Sequence, residues 1–187
     1  MDVLETERLI MRPFTPDDHE AAFQALEGHP DVWRYDPGRP RTREERRELI
    51  NFRIVEYQRQ GFGCLAVVLK ESKLLIGYCG LQLYLFEGEE WSRPEVELFY
   101  KFGREHWGQG YASEAARRMI EEAFERLRIT RLITWTHRDN APSISLLQRL
   151  GMTIHAAPRE PEFVIGILHN PAFAAKQRDG LSPEDLT

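Results

Sequence analysis

The sequence predicts a mixed α/β (α+β) domain with a mostly antiparallel central sheet of six or seven strands, one splayed parallel pair and four helices. Three observations carry this reading. Strand-like runs joined by short polar turns fill the middle of the chain, as in Cys64 to Leu69 and Leu74 to Leu85 around Lys70 to Lys73. A glycine turn, Gly108-Gln109-Gly110, opens directly into a helix whose apolar residues recur at three-and-four spacing. A short β-branched strand, Leu132 to Thr136, follows that helix, so the crossover should lay it parallel to Val96 to Phe102.

With 187 residues and 42% hydrophobic content, the chain is expected to form a single domain over residues 1–187, with its core at about 4–169 and a polar tail over 170–187. A net charge of −5 offers no general attraction to nucleic acid or to an anionic membrane, and neither is expected as a direct partner. Cys64 and Cys79 lie in apolar runs without metal-ligand spacing and read as buried free thiols of a cytoplasmic protein. No run approaches the roughly 18 apolar residues of a membrane span, and MDVLETERLI lacks the basic and apolar regions of a secretory signal. His106, His137, His155 and His169 fall in separate segments, and no metal site is expected.

Taken in order, Arg8 to Phe14 reads as the first strand. Thr15-Pro16-Asp17-Asp18 then supplies a cap, a proline at the first helical position and acidic first-turn residues for a helix to Leu26. Gly28 to Pro40 is a loop whose Trp33 and Tyr35 either pack beneath it or line a substrate pocket. Thr42 and Glu45 form a capping box for a helix to Gln60, along which Arg and Glu alternate as on a solvated face. The β-hairpin follows, and then an acidic turn from Phe86 to Pro94 leads into Val96 to Phe102. Ala112, Ala115, Ala116, Met119, Ile120, Ala123, Phe124 and Leu127 mark the buried face of the next helix, from Tyr111 to Leu127. Asn140 caps a helix with Pro142 in its first turn, and Gly151 stops it after Leu150. Thr153 to Ala157 and Phe163 to His169 close the domain as a hairpin pair.

The glycine turn is the first candidate site. Gly108 and Gly110 allow a sharp bend and close approach of a ligand to the main chain. The N–H groups that begin the helix have no partner within it and favour phosphate. Neither a GxGxxG fingerprint nor a Walker loop is present, so a different phosphate ligand is indicated.

Three stretches resemble the GNAT N-acetyltransferases, in the RimJ/RimL-like ribosomal-protein N-terminal acetyltransferase branch. Trp107-Gly-Gln-Gly-Tyr-Ala-Ser-Glu-Ala115 is similar to the acetyl-CoA pyrophosphate loop. Thr6-Glu-Arg-Leu-Ile-Met-Arg-Pro-Phe14 looks like the opening strand, and Asn140-Ala-Pro-Ser-Ile-Ser-Leu-Leu-Gln-Arg-Leu-Gly-Met152 like the late cofactor helix and its turn. The resemblance implies acetyl-CoA as cosubstrate and a primary amine as acceptor, either a protein or peptide N-terminus or a small amine, in a monomer or homodimer. Direct attack within a ternary complex is the implied mechanism. The alternative is a catalytically inactive coenzyme-binding or interaction module with the same fold.

By the same resemblance, the diphosphate meets N–H groups of Trp107, Gly108, Gln109, Gly110, Tyr111 and Ala112. The pantetheine arm pairs with main chain around Tyr100 to Phe102, and an N–H near Phe102 faces the thioester carbonyl. Asn140, Ser143 and Leu147 share one side of the late helix, which should face the coenzyme. Many family members carry a tyrosine as the thiolate's acid where this chain has Leu147. The acid is then sought at Ser143, with Tyr100, Tyr111 or water as alternatives, although Ser143 equally suits a helix-start hydrogen bond. Glu97 is the candidate base or else an outward strand residue. Glu95 takes that role only if the strand register turns it inward. Glu114 is expected to meet free N–H groups or a loop side chain in place of substrate. Acceptor choice should lie in Gly28 to Thr42 and Ala157 to Phe163.

Overall fold

The computed structural model describes residues 3–35, 37–84, 94–157 and 160–173. Eight strands form one sheet: β1 (Leu4–Glu5), β2 (Leu9–Pro13), β3 (Cys64–Leu69), β4 (Leu75–Tyr84), β5 (Glu95–Phe102), β6 (Arg131–His137), β7 (Thr153–Ala156) and β8 (Phe163–His169). Their order across the sheet is β1-β2-β3-β4-β5-β6-β8-β7, antiparallel everywhere except between β5 and β6. The expected seven strands are present. The eighth, Leu4–Glu5, is a two-residue addition that pairs with Met11 and Ile10. The acidic turn expected before β5 lies outside the described residues.

Four α-helices lie among the described residues: α1 (Asp18–Glu27), α2 (Arg43–Gln60), α3 (Tyr111–Glu121) and α4 (Ala141–Arg149). The capping box of α2 forms as read: Thr42 Oγ1 accepts the Glu45 N–H at 3.2 Å, and the Glu45 carboxylate accepts the Thr42 N–H at 2.7 Å. At α1 the reading is corrected. Asp17 stands at the N-cap, and Thr15 gives its N–H and hydroxyl to the Asp18 carboxylate, which also receives both terminal nitrogens of Arg12. Because Asp18 is buried, its charge requires those partners, and they hold the turn in place of a cap.

The helix at the glycine turn is also shorter than its periodicity suggests. Beyond Glu121 the chain makes one π turn, Glu122–Arg126, in which the Leu127 N–H reaches the Glu122 carbonyl. The π turn keeps Ala123 fully buried and brings Glu122 into the interior beside Arg118 and Arg126.

Alternation along the strands sends side chains to two cores. Ala115, Ala116, Met119 and Ala123 of the third helix and its π turn pack with Leu98, Phe102, Leu147 and Met152. On the other face, Ala22 and Ile50 pack with Phe14, Cys64, Ala66 and Leu75. A buried ion pair joins α1 to α2, with Arg46 Nε donating to Glu27 at 3.0 Å. Both cysteines are buried and unpaired with each other, and burial pushes the Cys64 thiol up to about 12. Asn170, where the polar tail was expected to begin, is buried. Its amide donates to the carbonyls of Phe124 and Ile129 and pins the segment after β8 beneath the π turn.

Candidate active site

The site grows from the single parallel pairing. β5 is paired with β4 along its whole length, whereas with β6 it shares one position, Glu97 opposite Ile133. β6 turns instead to β8, with which it pairs from Arg131 to His137. Beyond Glu97 the two parallel strands therefore part, and a wedge-shaped gap opens toward their C-terminal ends. In open α/β sheets that is the end at which ligands bind.

Two side chains replace the ladder where the strands part. Thr134 Oγ1 donates to the Leu98 carbonyl at 2.9 Å, and the Trp135 N–H donates to the Glu97 carboxylate at 3.4 Å. The other Glu97 oxygen accepts from Gln82 Nε2 at 2.5 Å. Arg53 fixes that amide by donating to Gln82 Oε1 at 3.0 Å and to Glu56 at 2.7 Å. Glu97 is thus an inward carboxylate, 7% exposed, held by oriented donors. Glu95 is also inward, but Arg131 Nε donates to it at 2.8 Å on the paired side of the gap.

Main-chain groups line the gap. The Gly103 N–H donates to the Ile76 carbonyl, and antiparallel bonding alternates from there, so Leu98, Tyr100 and Phe102 aim their peptide groups away from β4. Of these, the Leu98 carbonyl takes Thr134, and the Phe102 carbonyl takes the indole N–H of Trp107 at 2.8 Å. The N–H and carbonyl of Tyr100 and the N–H of Phe102 face the gap.

At its open end lies the glycine turn. Gly108 and Gly110 adopt φ of +74° and +84°, a left-handed conformation that other residues take only with strain. Among the described residues no acceptor meets the N–H groups of Gly108, Gln109, Gly110, Tyr111 or Ala112, and no side chain caps α3. The result is a mouth of five free amides at the positive end of a helix dipole.

The second helix at this end, α4, is capped by Asn140, whose Oδ1 accepts the Ser143 N–H at 3.3 Å. The Ser143 hydroxyl lies 3.0 Å from the Tyr100 hydroxyl, so strand and helix meet across the gap. Burial pushes the Tyr100 phenol up to about 12, against a smaller lowering by its bond to Ser143. Leu147 is fully buried in the core beneath α4, in the cluster against which Tyr100 packs, and a Cβ at Gly166 would lie 3.4 Å from it.

Of the two loop aromatics, Trp33 follows the packed alternative read from sequence. Trp33 is core, its indole donating to the Leu26 carbonyl at 2.8 Å. Tyr35 reaches across to the end of β6, stacks on His137 at 5.0 Å and donates to the Asp139 carbonyl at 3.1 Å. Spacing along the chain held no signal for that contact over a hundred residues. Gln82 and Arg53, which hold Glu97, were likewise missed, because they lie on another strand and a helix. Among the described residues no three His, Cys, Asp or Glu side chains converge to hold a metal, and no helix is long and apolar enough to cross a membrane.

Solved acetyltransferases share this architecture. The acetyltransferase from Agrobacterium tumefaciens str. C58 superposes with a TM-score of 0.74 at 28% identity, covering 90% of this chain and 95% of that one. The ribosomal L7/L12 α-N-protein acetyltransferase RimL, crystallised with coenzyme A, shares the fold at a TM-score of 0.73 and 15% identity, covering 91% and 99%. The class is that of acyltransferases. A family model described as an acetyltransferase (GNAT) domain matches residues 8–153, and the chain belongs to that family. It is an N-acetyltransferase, and enzymes of this family use acetyl-CoA. An uncharacterized N-acetyltransferase of Bacillus licheniformis, p20, is 30% identical over 172 residues, covering 90% of this chain and 92% of the relative.

Proposed function

We propose that the chain transfers the acetyl group of acetyl-CoA to a primary amine by direct attack in a ternary complex. Within the family we assign it to the RimJ/RimL-like branch, with a protein or peptide N-terminus as first acceptor and a small amine as second. The parting of β5 from β6 beneath a mouth of free amides carries this reading.

The residues fit the coenzyme. Five amides and a helix dipole suit a diphosphate, and the peptide groups of Tyr100 and Phe102 suit an amide-bearing arm laid in as an extra strand. Acetyl-CoA supplies an acyl group activated as a thioester. The acyl end must lie toward Glu97, at the closed end of the gap. Of the two N–H groups that face the gap, that of Tyr100 is nearer Glu97, three residues away against five, so it takes the charge that develops on the acyl oxygen. The sequence reading looks for this donor near Phe102; with Tyr100 in that role, the Phe102 N–H is left to serve the arm.

Proton traffic is divided between the two faces of the sheet. Glu97 shares the Phe99 face, under α1 and α2, while Tyr100 shares the α3 face and meets Ser143 of α4. The acceptor ammonium enters on the first face and loses its proton to Glu97, directly or through water. The departing thiolate takes a proton on the second face from Ser143, which Tyr100 backs with its own hydroxyl. Asn140 sets the first turn of α4 and so the place of Ser143.

The test is a mass-spectrometric screen of peptides and small amines for gain of one acetyl group, with calorimetry of coenzyme A binding alongside. Transfer to at least one amine with saturable coenzyme binding is the expected result. Coenzyme binding with no transfer to any amine would favour the inactive module, and no binding at all would overturn the reading.

A further inference from the structure

The opening motif around Thr6 and Arg8 has no part in the proton steps, yet it is joined to the mouth by a continuous polar cluster. Glu114 is the fourth residue of α3. A carboxylate in a first turn is drawn to its own helix's free N–H groups and to the positive end of the dipole. There it would occupy the mouth as an internal anion. In this chain it is turned aside: Oε1 accepts the Thr6 hydroxyl at 2.5 Å and the Arg8 N–H at 2.9 Å, and Oε2 accepts Arg8 Nε and Nη2, each at 2.7 Å.

Arg8 also grips the turn itself. Its Nη1 donates to the Gln109 carbonyl at 2.9 Å, and its guanidinium lies 4.5 Å over the Tyr111 ring. A Cβ at Gly110 would sit 3.3 Å from Nη2, so the glycine gives the guanidinium its room. Both carboxylate oxygens of Glu114 are occupied from the β1–β2 turn, and α3 is left without a side-chain cap.

We propose that Thr6 and Arg8 form a clamp that draws Glu114 off the mouth and neutralises it, leaving the amides of Gly108 to Ala112 open to an external anion. The proposal rests on the reading that this mouth receives the coenzyme's diphosphate. Arg8 is then a positioning residue, and the Thr6-to-Phe14 stretch acquires a task beyond forming an inner strand. Burial pushes the Glu114 carboxyl up, but the bonds from Thr6 and Arg8 outweigh it and hold the group below the ordinary glutamate value, as a clamped anion requires.

The test follows the amide NMR signals of residues 108–112 in the ligand-free full chain from pH 7 to pH 3. In wild type these signals should not follow Glu114. In Arg8→Ala the freed carboxylate should cap them, so they should titrate together, and Glu114→Gln in the same background should abolish the transition. Losing bonds to a charged partner should weaken coenzyme A binding about tenfold in Arg8→Ala, with recovery to within about threefold in the double variant. Mouth amides that fail to titrate in Arg8→Ala, or a double variant no tighter than the single one, would overturn the proposal. If wild type binds neither coenzyme A nor inorganic pyrophosphate, the coenzyme reading fails, while the amide titration still decides the clamp. Should Arg8→Ala not fold, Thr6→Val and Arg8→Lys carry the same measurement.

Discussion

The Glu97 carboxylate accepts the main-chain N–H of Trp135 across the point where β5 and β6 part. A side chain thus stands where a backbone carbonyl would continue the ladder, and the same group is the proposed base. Glu97→Gln keeps the shape and an acceptor oxygen but removes the basic site. Turnover should fall by at least about a hundredfold, the usual span of general base catalysis, with coenzyme A affinity within about threefold of wild type. Steady-state kinetics beside calorimetry separates the two, and unchanged turnover at every pH would rule Glu97 out.

Thr134 offers a test of the gap that does not involve the chemistry. Its hydroxyl is buried and donates to the Leu98 carbonyl. Thr134→Val conserves volume and leaves that carbonyl unpaired, which should cost about 1–3 kcal/mol in urea unfolding. A variant as stable as wild type would mean that the strands part without this bridge.

The parts of this arrangement that sequence revealed are those in which cause and effect lie close along the chain. The Thr42–Glu45 box, the turn between β3 and β4 and the glycine mouth are set by residues within a few positions of one another. What escaped depended on distant partners. Thr15 looks like a cap until Arg12 and Asp18 are seen to form a partly buried pair beside it. Three-and-four spacing runs on through Glu122–Arg126, so it cannot register the extra residue of the π turn. Helical count puts Leu147 on the Ser143 side but cannot show that it is fully buried there, against a later strand at Gly166.

Among the described ion pairs, Glu27 and Arg46 are the most deeply buried, with both side chains 2% exposed. Arg46→Met removes one partner and strands the other, at a cost of about 3–5 kcal/mol. Adding Glu27→Gln should return part of that loss by removing the stranded charge. Denaturant midpoints of the two variants give the answer, and equal losses in both would show that packing around Trp33, not charge, dominates there.

The N-terminus of α2 should respond to acid. The Arg39 guanidinium first, then the Thr42 N–H, pull the Glu45 carboxyl down to about 2 from the ordinary 4.5. A depressed folded value means that its contribution is complete above the unfolded value and drains away as pH falls from about 4.5 toward 2. Glu45→Gln should flatten the unfolding midpoint against pH over that interval, and an unchanged slope would place the acid sensitivity elsewhere.

The hydroxyl pair of Ser143 and Tyr100 makes the sharpest claim about proton return. Burial keeps the phenol protonated up to about pH 12, so as a donor it stays loaded across the working range and imposes no alkaline limb of its own below about pH 10. Ser143→Ala and Tyr100→Phe each remove one hydroxyl without altering the backbone that faces the gap. If Ser143 delivers the proton and Tyr100 backs it, Ser143→Ala should lower turnover by at least about tenfold, and Tyr100→Phe by less, with the coenzyme's KM little changed in both. Leu147→Tyr should not rescue Ser143→Ala, because Leu147 is fully buried and the new ring would enter a filled core at a cost of about 1–3 kcal/mol. Rescue in that variant would show that the core beneath α4 can admit a donor at this position, and the assignment of the acid to Ser143 would have to be redrawn.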